Sequence, residues 1–511
     1  MSITGVQRIT WAEIAFWCLL ALHLVPILAF HWFPTLDGPC HVYNARLIHD
    51  LLAGSGDVGR FFKFNPFPEP NWLGHAIMAA VMFVAPANIA EKVLLVLFAA
   101  GLPLAFRWCA RSCGGDRWMV LLAFPFIYCY PMRMGFFNFC LGLPLMLLLV
   151  KLWRRHLEGR LKGAWWKVTL LLIALWFTHL VVLLITLLLM AAFTFFNSPP
   201  AGMRRGVKQL LLFATPVLVL VCWYFLHHHG SAEAGKRIAV PELLRWVAMG
   251  RPFITLSFDE WPFAAAIGGS IALAAMAVAF IPGLSIGGSK VDRRIWWGAA
   301  IGSLVLAFIL PDAMASGKIL TPRLLLFAWL FAALGIASIE LHRWLRIPVL
   351  IVVITADLFA LRQQYAYTAD LEADVDEYTS IASGLRPGDV LLPLNYSDHW
   401  LHSNFICYAG AATGAIVLDN FVAITPTSPL IWRKEAEPYE AIGDFASSHT
   451  PCARLAGYER ATGIALDRVS TWSMPANLID SCSVDLRSQL TAAADTILVS
   501  PKGRAILYDM R

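Results

Sequence analysis

The first residues with a capacity for chemistry lie in the segment LDGPCH, residues 36–41, which follows a hydrophobic run ending at Trp32. Asp37 supplies a carboxylate that can accept a proton from a hydroxyl group, and His41 can bind a substrate or a metal. The apolar spacing over 42–52 predicts an amphipathic helix directly behind them. Proline fixes its own φ and restricts the residue before it, so we expect Gly38-Pro39 to form a turn that aims Asp37.

Both residues also have structural alternatives. Asp is a preferred N-cap residue, so Asp37 could accept backbone N–H bonds at the start of a helix over 40–52. His41 could serve only as a hydrogen-bonding partner within its loop. The sequence leaves these alternatives open.

The composition indicates that the segment 36–41 belongs to a membrane protein. Of the 511 residues, 58% are hydrophobic and only 14% are charged, and long uncharged runs recur between residues 11 and 362. About 20 apolar residues in a helix can cross a hydrocarbon core of ~30 Å. A backbone exposed to lipid must satisfy its own hydrogen bonds, so these runs must be helices. The sequence predicts an all-α polytopic membrane bundle.

Short basic loops predict its orientation. The clearest are 151–167, 204–208, 290–294 and 343–346, which we expect on the cytoplasmic side. Alternate crossings counted from Arg8 give about eleven spans, an N-terminus inside and a C-terminal region outside. The expected spans lie near 11–32, 89–108, 118–131, 136–150, 166–179, 181–196, 208–228, 261–282, 295–310, 324–341 and 347–362. Residues 73–86 form either a re-entrant helix or a separate span.

Beyond Arg362 acidic residues increase and the hydrophobic runs shorten to strand length. We therefore divide the chain into a membrane domain, 1–362, which includes the loop 33–72, and a small soluble α/β domain, 363–511. Strands are expected at 389–394, 496–500 and 505–509, and an amphipathic helix at 370–385. Outside the cytoplasm, one disulfide could form among Cys407, Cys452 and Cys482, but sequence does not select the pair.

Further polar candidates fall in loops predicted on the same side as Asp37. Glu69 and His75 flank the PNWL segment and either line an acceptor groove or anchor it at the membrane interface. His179 is an ionisable group in an apolar helix and needs a partner there. The remaining candidates are Arg133, Asn138, Lys318 and Arg323. The three cations among them could bind a phosphate, and Arg133 and Arg323 could instead extend to lipid headgroups.

The predicted cytoplasmic side offers little room for a soluble substrate. Its loops are short, and no GxGxxG or GxxxxGK[ST] motif lies between a strand and a helix in the sequence. The net charge of +6 comes from basic residues in loops that report orientation, so nucleic acid is not an expected partner. A substrate of this protein should itself be carried by the membrane.

An acidic residue in the first loop after the first span, an amphipathic helix behind it, about ten further helices and a soluble C-terminal domain resemble the GT-C class of integral-membrane glycosyltransferases. The segments GFFNFCLGLPL (135–145) and PNWLGHAIMA (70–79) are similar to uncharacterised bacterial members. The resemblance implies a polyprenyl-phosphate-linked sugar donor, membrane lipids as further partners and a glycan, lipid or protein acceptor. It also implies a bacterial inner membrane, with the C-terminal domain in the periplasm.

The same resemblance suggests a mechanism. Asp37 would be the general base, a role that contributes about 10²- to 10⁴-fold, and the transfer of a hexosyl or pentosyl group would invert the anomeric centre. Arg133, Lys318 and Arg323 would stabilise the departing phosphate. Many GT-C members carry a second acidic residue beside the first, but here Gly38 follows Asp37. We identify no cofactor and no set of metal ligands; a divalent metal could take part, but the sequence gives no support for one.

Two other classes of function fit the sequence. A transporter or flippase of lipid-linked glycans would use the polar cluster as a binding vestibule, and it should also place partnered charges near mid-membrane. The ionisable residues are instead expected to cluster in the outer loops. A scaffold whose C-terminal domain binds partners is the third possibility.

Overall fold

The computed structural model describes residues 10–161, 163, 165–197, 200–228, 235–314, 317–446, 450–477, 480–493 and 495–510. The chain divides into two compact units. The first comprises Met1–Ala29, Val96–Met132 and Phe139–Tyr365. The second comprises Phe30–Leu95, Arg133–Asn138 and Ala366–Arg511.

Long apolar helices form the first unit, and three of them continue into the second. Their bounds are Trp11–Leu28, Ala87–Ser112, Phe137–Leu157, Trp165–Thr178, Leu180–Asn197, Pro200–His227, Trp261–Phe280, Lys290–Ile309, Leu320–Ala337 and Arg343–Thr379, with a short helix at Val240–Ala248. Within the described residues, eight helices are long and apolar enough to cross a membrane. The predicted polytopic helical bundle is confirmed, and the protein is an integral membrane protein.

Two predicted elements differ from the structure. The expected span 118–131 is a 3-10 helix, Met119–Phe126, followed by the short helix Tyr130–Arg133, because Pro125 and Pro131 each remove a backbone N–H from the segment. The expected span 347–362 and residues 370–379 of the expected helix 370–385 belong to one helix, Arg343–Thr379, which is followed by the 3-10 helix Ser380–Gly384. After Pro348 this segment has no proline or glycine that would end it.

Ion pairs collect at one end of the first unit. They join segments that are all predicted to lie on the cytoplasmic side of the membrane. The pairs are Arg154–Asp292 at 2.8 Å, Arg346–Asp116 at 2.9 Å, Arg107–Glu13 at 3.0 Å and Arg111–Glu13 at 2.9 Å. These four pairs bring the predicted cytoplasmic ends of several helices together, but whether that end faces the cytoplasm stays a prediction.

A five-stranded sheet forms the centre of the second unit. Its strands, in order across the sheet, are Ile416–Val417, Val390–Asn395, Arg468–Trp472, Ala505–Asp509 and Asp495–Val499. The first three are parallel, and Ala505–Asp509 runs antiparallel to both of its neighbours. The longer helices of the unit are Gly38–Ala53, Leu73–Met82, Ile406–Thr413, Leu455–Thr462 and Ser481–Ala493. The expected α/β region is confirmed.

Residues of the loop 33–72 pack with the C-terminal residues in this unit. The strand Phe62–Phe64 pairs antiparallel with Leu430–Trp432. In the helix Gly38–Ala53, the Tyr43 hydroxyl donates to the carbonyl of Ala415 at 3.0 Å. The predicted domain division at residue 362 stays a prediction, but the loop that it assigned to the membrane domain lies in the second unit.

The structure selects one cysteine pair. Cys452 and Cys482 form a disulfide with a Cα–Cα distance of 5.5 Å, and it joins the helix that begins at Ser481 to the segment before Leu455. Cys407, the third cysteine of the region, is a buried free thiol.

We predict that Arg154→Gln destabilises the first unit strongly. Arg154 is the ion-pair partner of Asp292, whose side chain is buried, and removing one partner of a buried pair costs about 3–5 kcal/mol because the other charge stays buried. Arg160→Gln is the matched control, since Arg160 pairs with Glu158 in solvent and should contribute less than about 1 kcal/mol. Unfolding midpoints in detergent test this prediction, and equal midpoints for the two variants would contradict it.

Candidate active site around Asp37

Asp37 immediately precedes the helix Gly38–Ala53, which we call the Gly38 helix. The predicted turn at Gly38-Pro39 is instead the first turn of this helix, where proline is favoured because no helical partner is needed for its missing N–H. The Asp37 carboxylate makes no cap hydrogen bond to the helix. The Thr35 hydroxyl takes that role at the helix start and accepts from the N–H of Gly38 at 3.0 Å. N-capping therefore does not explain the presence of a carboxylate at position 37.

The backbone at Asp37 is held by the segment 133–138. The N–H of Leu36 donates to the Arg133 carbonyl and the N–H of Asp37 donates to the Met134 carbonyl, both at 3.1 Å. Gly135 has φ +80°, and a Cβ there would lie 2.5 Å from the nitrogen of Gly38. Only glycine allows this close approach, so the turn 133–138 and the start of the Gly38 helix fit together closely.

Arg133 is almost fully buried, with 1% of its surface exposed. Its Nη1 donates to the Pro34 carbonyl at 2.8 Å, and its Nη2 donates to the Thr368 hydroxyl at 3.2 Å. The guanidinium also lies over the ring of Phe33, 4.7 Å from its centre. These contacts hold the guanidinium against the segment before Asp37, and the phosphate-binding role expected from the sequence stays a prediction.

His41 and His75 form one hydrogen-bonded chain. His75 Nδ1 lies 3.0 Å from the Asn71 carbonyl, and His75 Nε2 lies 3.0 Å from His41 Nδ1. A carbonyl only accepts, so His75 carries its proton on Nδ1 and its Nε2 accepts from His41 Nδ1. In neutral rings this leaves Nε2 of His41 as a proton acceptor. Burial lowers the pKa of His75 to about 4, and burial with the neighbouring His75 holds the pKa of His41 well below its usual value.

Asn138 connects the turn 133–138 to the same chain. Its Nδ2 donates to the Asn71 carbonyl at 2.9 Å, and its Oδ1 accepts from the N–H of Gly74 at 2.7 Å. Asn71 has φ +68° and presents its carbonyl to both His75 and Asn138. Glu69, two residues earlier, is also buried, with 1% exposed. Five of the sequence candidates besides Asp37, namely His41, Glu69, His75, Arg133 and Asn138, thus belong to the second unit.

Side chains from the C-terminal region complete this part of the second unit, and the sequence did not reveal them. Asn404 Nδ2 donates to the Leu36 carbonyl at 2.7 Å. Asp419 accepts from the Tyr439 hydroxyl at 3.2 Å, and burial raises the pKa of Asp419 to about 6. The charges of Asp419 and Asp37 both raise the pKa of the Cys40 thiol, after the larger effects of burial and of Cys407. Asp419 is a second acidic residue close to the start of the Gly38 helix, because its backbone carbonyl lies 3.8 Å from the sulfur of Cys407, which is 2.9 Å from the sulfur of Cys40.

The other three sequence candidates belong to the first unit. His179 alone separates the helices Trp165–Thr178 and Leu180–Asn197. Arg323 Nη1 lies 3.1 Å from His179 Nε2, and its guanidinium lies over Phe139. Because arginine only donates, His179 Nε2 accepts and the ring is neutral. Lys318 is exposed in the loop before the helix Leu320–Ala337.

Two further histidines have acidic partners that sequence spacing did not indicate. His402 Nε2 lies 3.0 Å from Asp374, with Ser397 2.7 Å from its Nδ1. In the first unit, His23 Nε2 lies 3.2 Å from Asp357, and both side chains are buried within membrane-type helices. This pair is an exception to the expected clustering of ionisable residues in the outer loops, because both residues lie in segments whose composition is that of apolar spans.

No group of three or more His, Cys, Asp or Glu side chains that could hold a metal ion occurs in the part of the chain that the structure describes. Metal dependence itself stays an open prediction.

Helical spans combined with a small α/β region define a polytopic membrane protein of the GT-C-like fold. Among solved structures, ArnT from Cupriavidus metallidurans bound to undecaprenyl phosphate is similar over 98% of both chains, with 11% sequence identity and a TM-score of 0.53. ArnT from the same organism in the apo state covers 98% of this chain and 99% of its own, with 13% identity and a TM-score of 0.38. The first likeness confirms the fold that the sequence resemblance implied. No protein-family model and no curated protein sequence matches the chain.

The histidine chain predicts a pH dependence of stability. In the folded protein the pKa values of His41 and His75 lie below the unfolded value of about 6.5. At mildly acidic pH the unfolded chain therefore binds more protons than the folded chain. Stability from these histidines should therefore be complete above about pH 6.5 and fall as the pH is lowered towards 4. Unfolding midpoints measured from pH 7.5 to 4.5, for the wild type and for His41→Asn/His75→Asn, test this. Parallel pH curves for the two proteins would contradict the prediction.

Proposed function

We propose that the protein is a membrane glycosyltransferase that moves a hexosyl or pentosyl group from a polyprenyl-phosphate-linked donor to a glycan, lipid or protein acceptor. The fold supports a reaction of this class, because the similar ArnT structure holds undecaprenyl phosphate. The observation that carries the proposal is the placement of Asp37. Its backbone is fixed by the turn 133–138, and its carboxylate is half-buried and does not cap its own helix.

In the proposed reaction, Asp37 removes the proton from the acceptor hydroxyl as that oxygen attacks the anomeric carbon. The bond from the anomeric carbon to the phosphate oxygen breaks, and the lipid phosphate leaves as an anion. A single displacement of this kind inverts the anomeric configuration. The Nε2 acceptor of His41, one helical turn from Asp37, can accept a hydrogen bond from a substrate hydroxyl.

Cations must stabilise the phosphate as it leaves. Arg133 is held against Pro34 and Thr368, so in this proposal it is a positioning residue. The phosphate-binding role expected of Lys318 and Arg323 stays a prediction. We propose a bacterial inner membrane as the location, with the second unit on the periplasmic side. The disulfide Cys452–Cys482 in that unit supports an oxidising compartment.

A second candidate function is a transporter or flippase of lipid-linked glycans. One observation favours it, namely the buried His23–Asp357 pair within two membrane-type helices. Ionisable pairs at such positions often mark proton or ion pathways. The two functions differ in whether a glycosidic bond is formed.

Asp37→Asn provides the direct test. The amide keeps the shape of the side chain and cannot act as a base at neutral pH, so we expect sugar transfer to fall by about 10²- to 10⁴-fold. Purified protein is assayed with a panel of polyprenyl-phosphate-linked hexoses and pentoses and with cell-envelope acceptors. Donor binding and the unfolding midpoint should remain close to those of the wild type.

Asp57→Asn is the matched control, because Asp57 is an exposed carboxylate that follows the same helix. It should retain full transfer. Unchanged transfer by Asp37→Asn would remove Asp37 as the base. Lipid translocation by the wild type with no transfer to any acceptor would instead support the flippase, and His23→Gln should then stop translocation.

A further inference from the structure

Two thiols from distant parts of the chain meet inside the second unit. Cys40 lies in the first turn of the Gly38 helix and Cys407 lies in the helix Ile406–Thr413. Their Sγ atoms are 2.9 Å apart, although the residues are separated by 367 positions in sequence. Both side chains are fully buried. A disulfide bond has a length of about 2.05 Å, so a movement of less than about 1 Å would bring the two sulfurs to bonding distance.

Hydrogen bonds close to the thiols keep the two segments in place. The Tyr43 hydroxyl donates to the Ala415 carbonyl at 3.0 Å and accepts from the N–H of Val417 at 2.9 Å. The side-chain amides of Asn44 and Asn420 donate to each other at 2.8 and 3.2 Å. The approach of the two sulfurs therefore follows from the packing of the backbone segments that carry them, not only from their rotamers.

The surroundings are suited to oxidation. The same unit contains the disulfide Cys452–Cys482, and such bonds form and persist in oxidising compartments. A pair of adjacent thiols that folds under these conditions meets the same oxidants. Burial of both thiols in the folded unit means that the oxidant must reach them before the Gly38 helix and the helix Ile406–Thr413 close on each other.

We propose that Cys40 and Cys407 form a second disulfide, which covalently fastens the start of the Gly38 helix to the C-terminal region. Both thiols lose their protons, an Sγ–Sγ bond forms, and the two electrons reduce the disulfide of a thiol–disulfide oxidant to two thiols. Cys40 is three residues from Asp37, and Asn404 already binds the Leu36 carbonyl from the same C-terminal segment. The bond would therefore limit movement of Asp37. Any effect of that restriction on turnover rests on the proposed function, whereas the bond itself does not.

Thiol mapping tests the proposal directly. The full-length protein is purified from membranes without reductant, unfolded in the presence of iodoacetamide, then reduced and labelled with N-ethylmaleimide. We expect Cys40 and Cys407 to carry the second label, as Cys452 and Cys482 do, and a cross-linked peptide containing Cys40 and Cys407 in the unreduced digest. Iodoacetamide on both Cys40 and Cys407 would overturn the proposal, whatever the outcome of the transferase assay.

Stability of alanine variants gives a second, independent readout. A bond is lost completely when either partner is removed, so Cys40→Ala, Cys407→Ala and the double variant should show the same fall in unfolding midpoint, roughly 5 °C or more. Cys18→Ala, which removes an exposed thiol, is the control and should leave the midpoint unchanged. A double variant whose loss equals the sum of the two single losses would show two thiols that pack independently, and would overturn the proposal.

Discussion

The candidate site depends on a close backbone contact between the segment before the Gly38 helix and the turn 133–138. Two hydrogen bonds, from Leu36 and Asp37 to the carbonyls of Arg133 and Met134, fix the chain just before it becomes helical. The buried guanidinium of Arg133 adds a bond to Pro34. Gly135 makes the contact possible, since any Cβ there would collide with the backbone of residues 37 and 38. Because the backbone at Asp37 is constrained in this way, its carboxylate can stay in one position while charge develops on a neighbouring substrate.

Two further sets of hydrogen bonds connect this contact to the rest of the second unit. Asn138 and Asn71 connect the turn to the His75–His41 chain, which ends in a neutral imidazole nitrogen able to accept a proton or a hydrogen bond. Further along the Gly38 helix, Tyr43 and Asn44 donate hydrogen bonds to Ala415 and Asn420 of the C-terminal region. The C-terminal region thus contributes to the surroundings of Asp37, which gives it a structural reason to be present in the proposed enzyme.

Hydropathy and local pattern predicted much of the fold. The apolar runs correspond to helices because only helices satisfy the backbone in lipid, and the strands Asp495–Val499 and Ala505–Asp509 lie within one residue of their predicted positions. The 3-10 helix at 119–126 was missed because a proline within it outweighs the hydropathy pattern. The continuous helix Arg343–Thr379 was missed because no proline after Pro348 ends it where the apolar run ends. Asp37 was singled out as a candidate from its position after the first span, and its role stays a prediction. Local sequence patterns did not indicate four further residues. Asn71 presents its carbonyl because its backbone is left-handed. The others, Asn404, Asp419 and Cys407, act on the start of the Gly38 helix from several hundred residues away in sequence.

In the proposed reaction Asp37 faces the reacting sugar, so the position of a bound donor is the decisive observation. A cryo-EM structure of the Asp37→Asn variant with a polyprenyl-phosphate-linked sugar would trap the donor before transfer. We expect the sugar to lie against residue 37 and His41, with its anomeric carbon within reach of an acceptor oxygen that is hydrogen-bonded to residue 37. A donor whose sugar lies elsewhere, for example beside the His23–Asp357 pair and away from the start of the Gly38 helix, would contradict it.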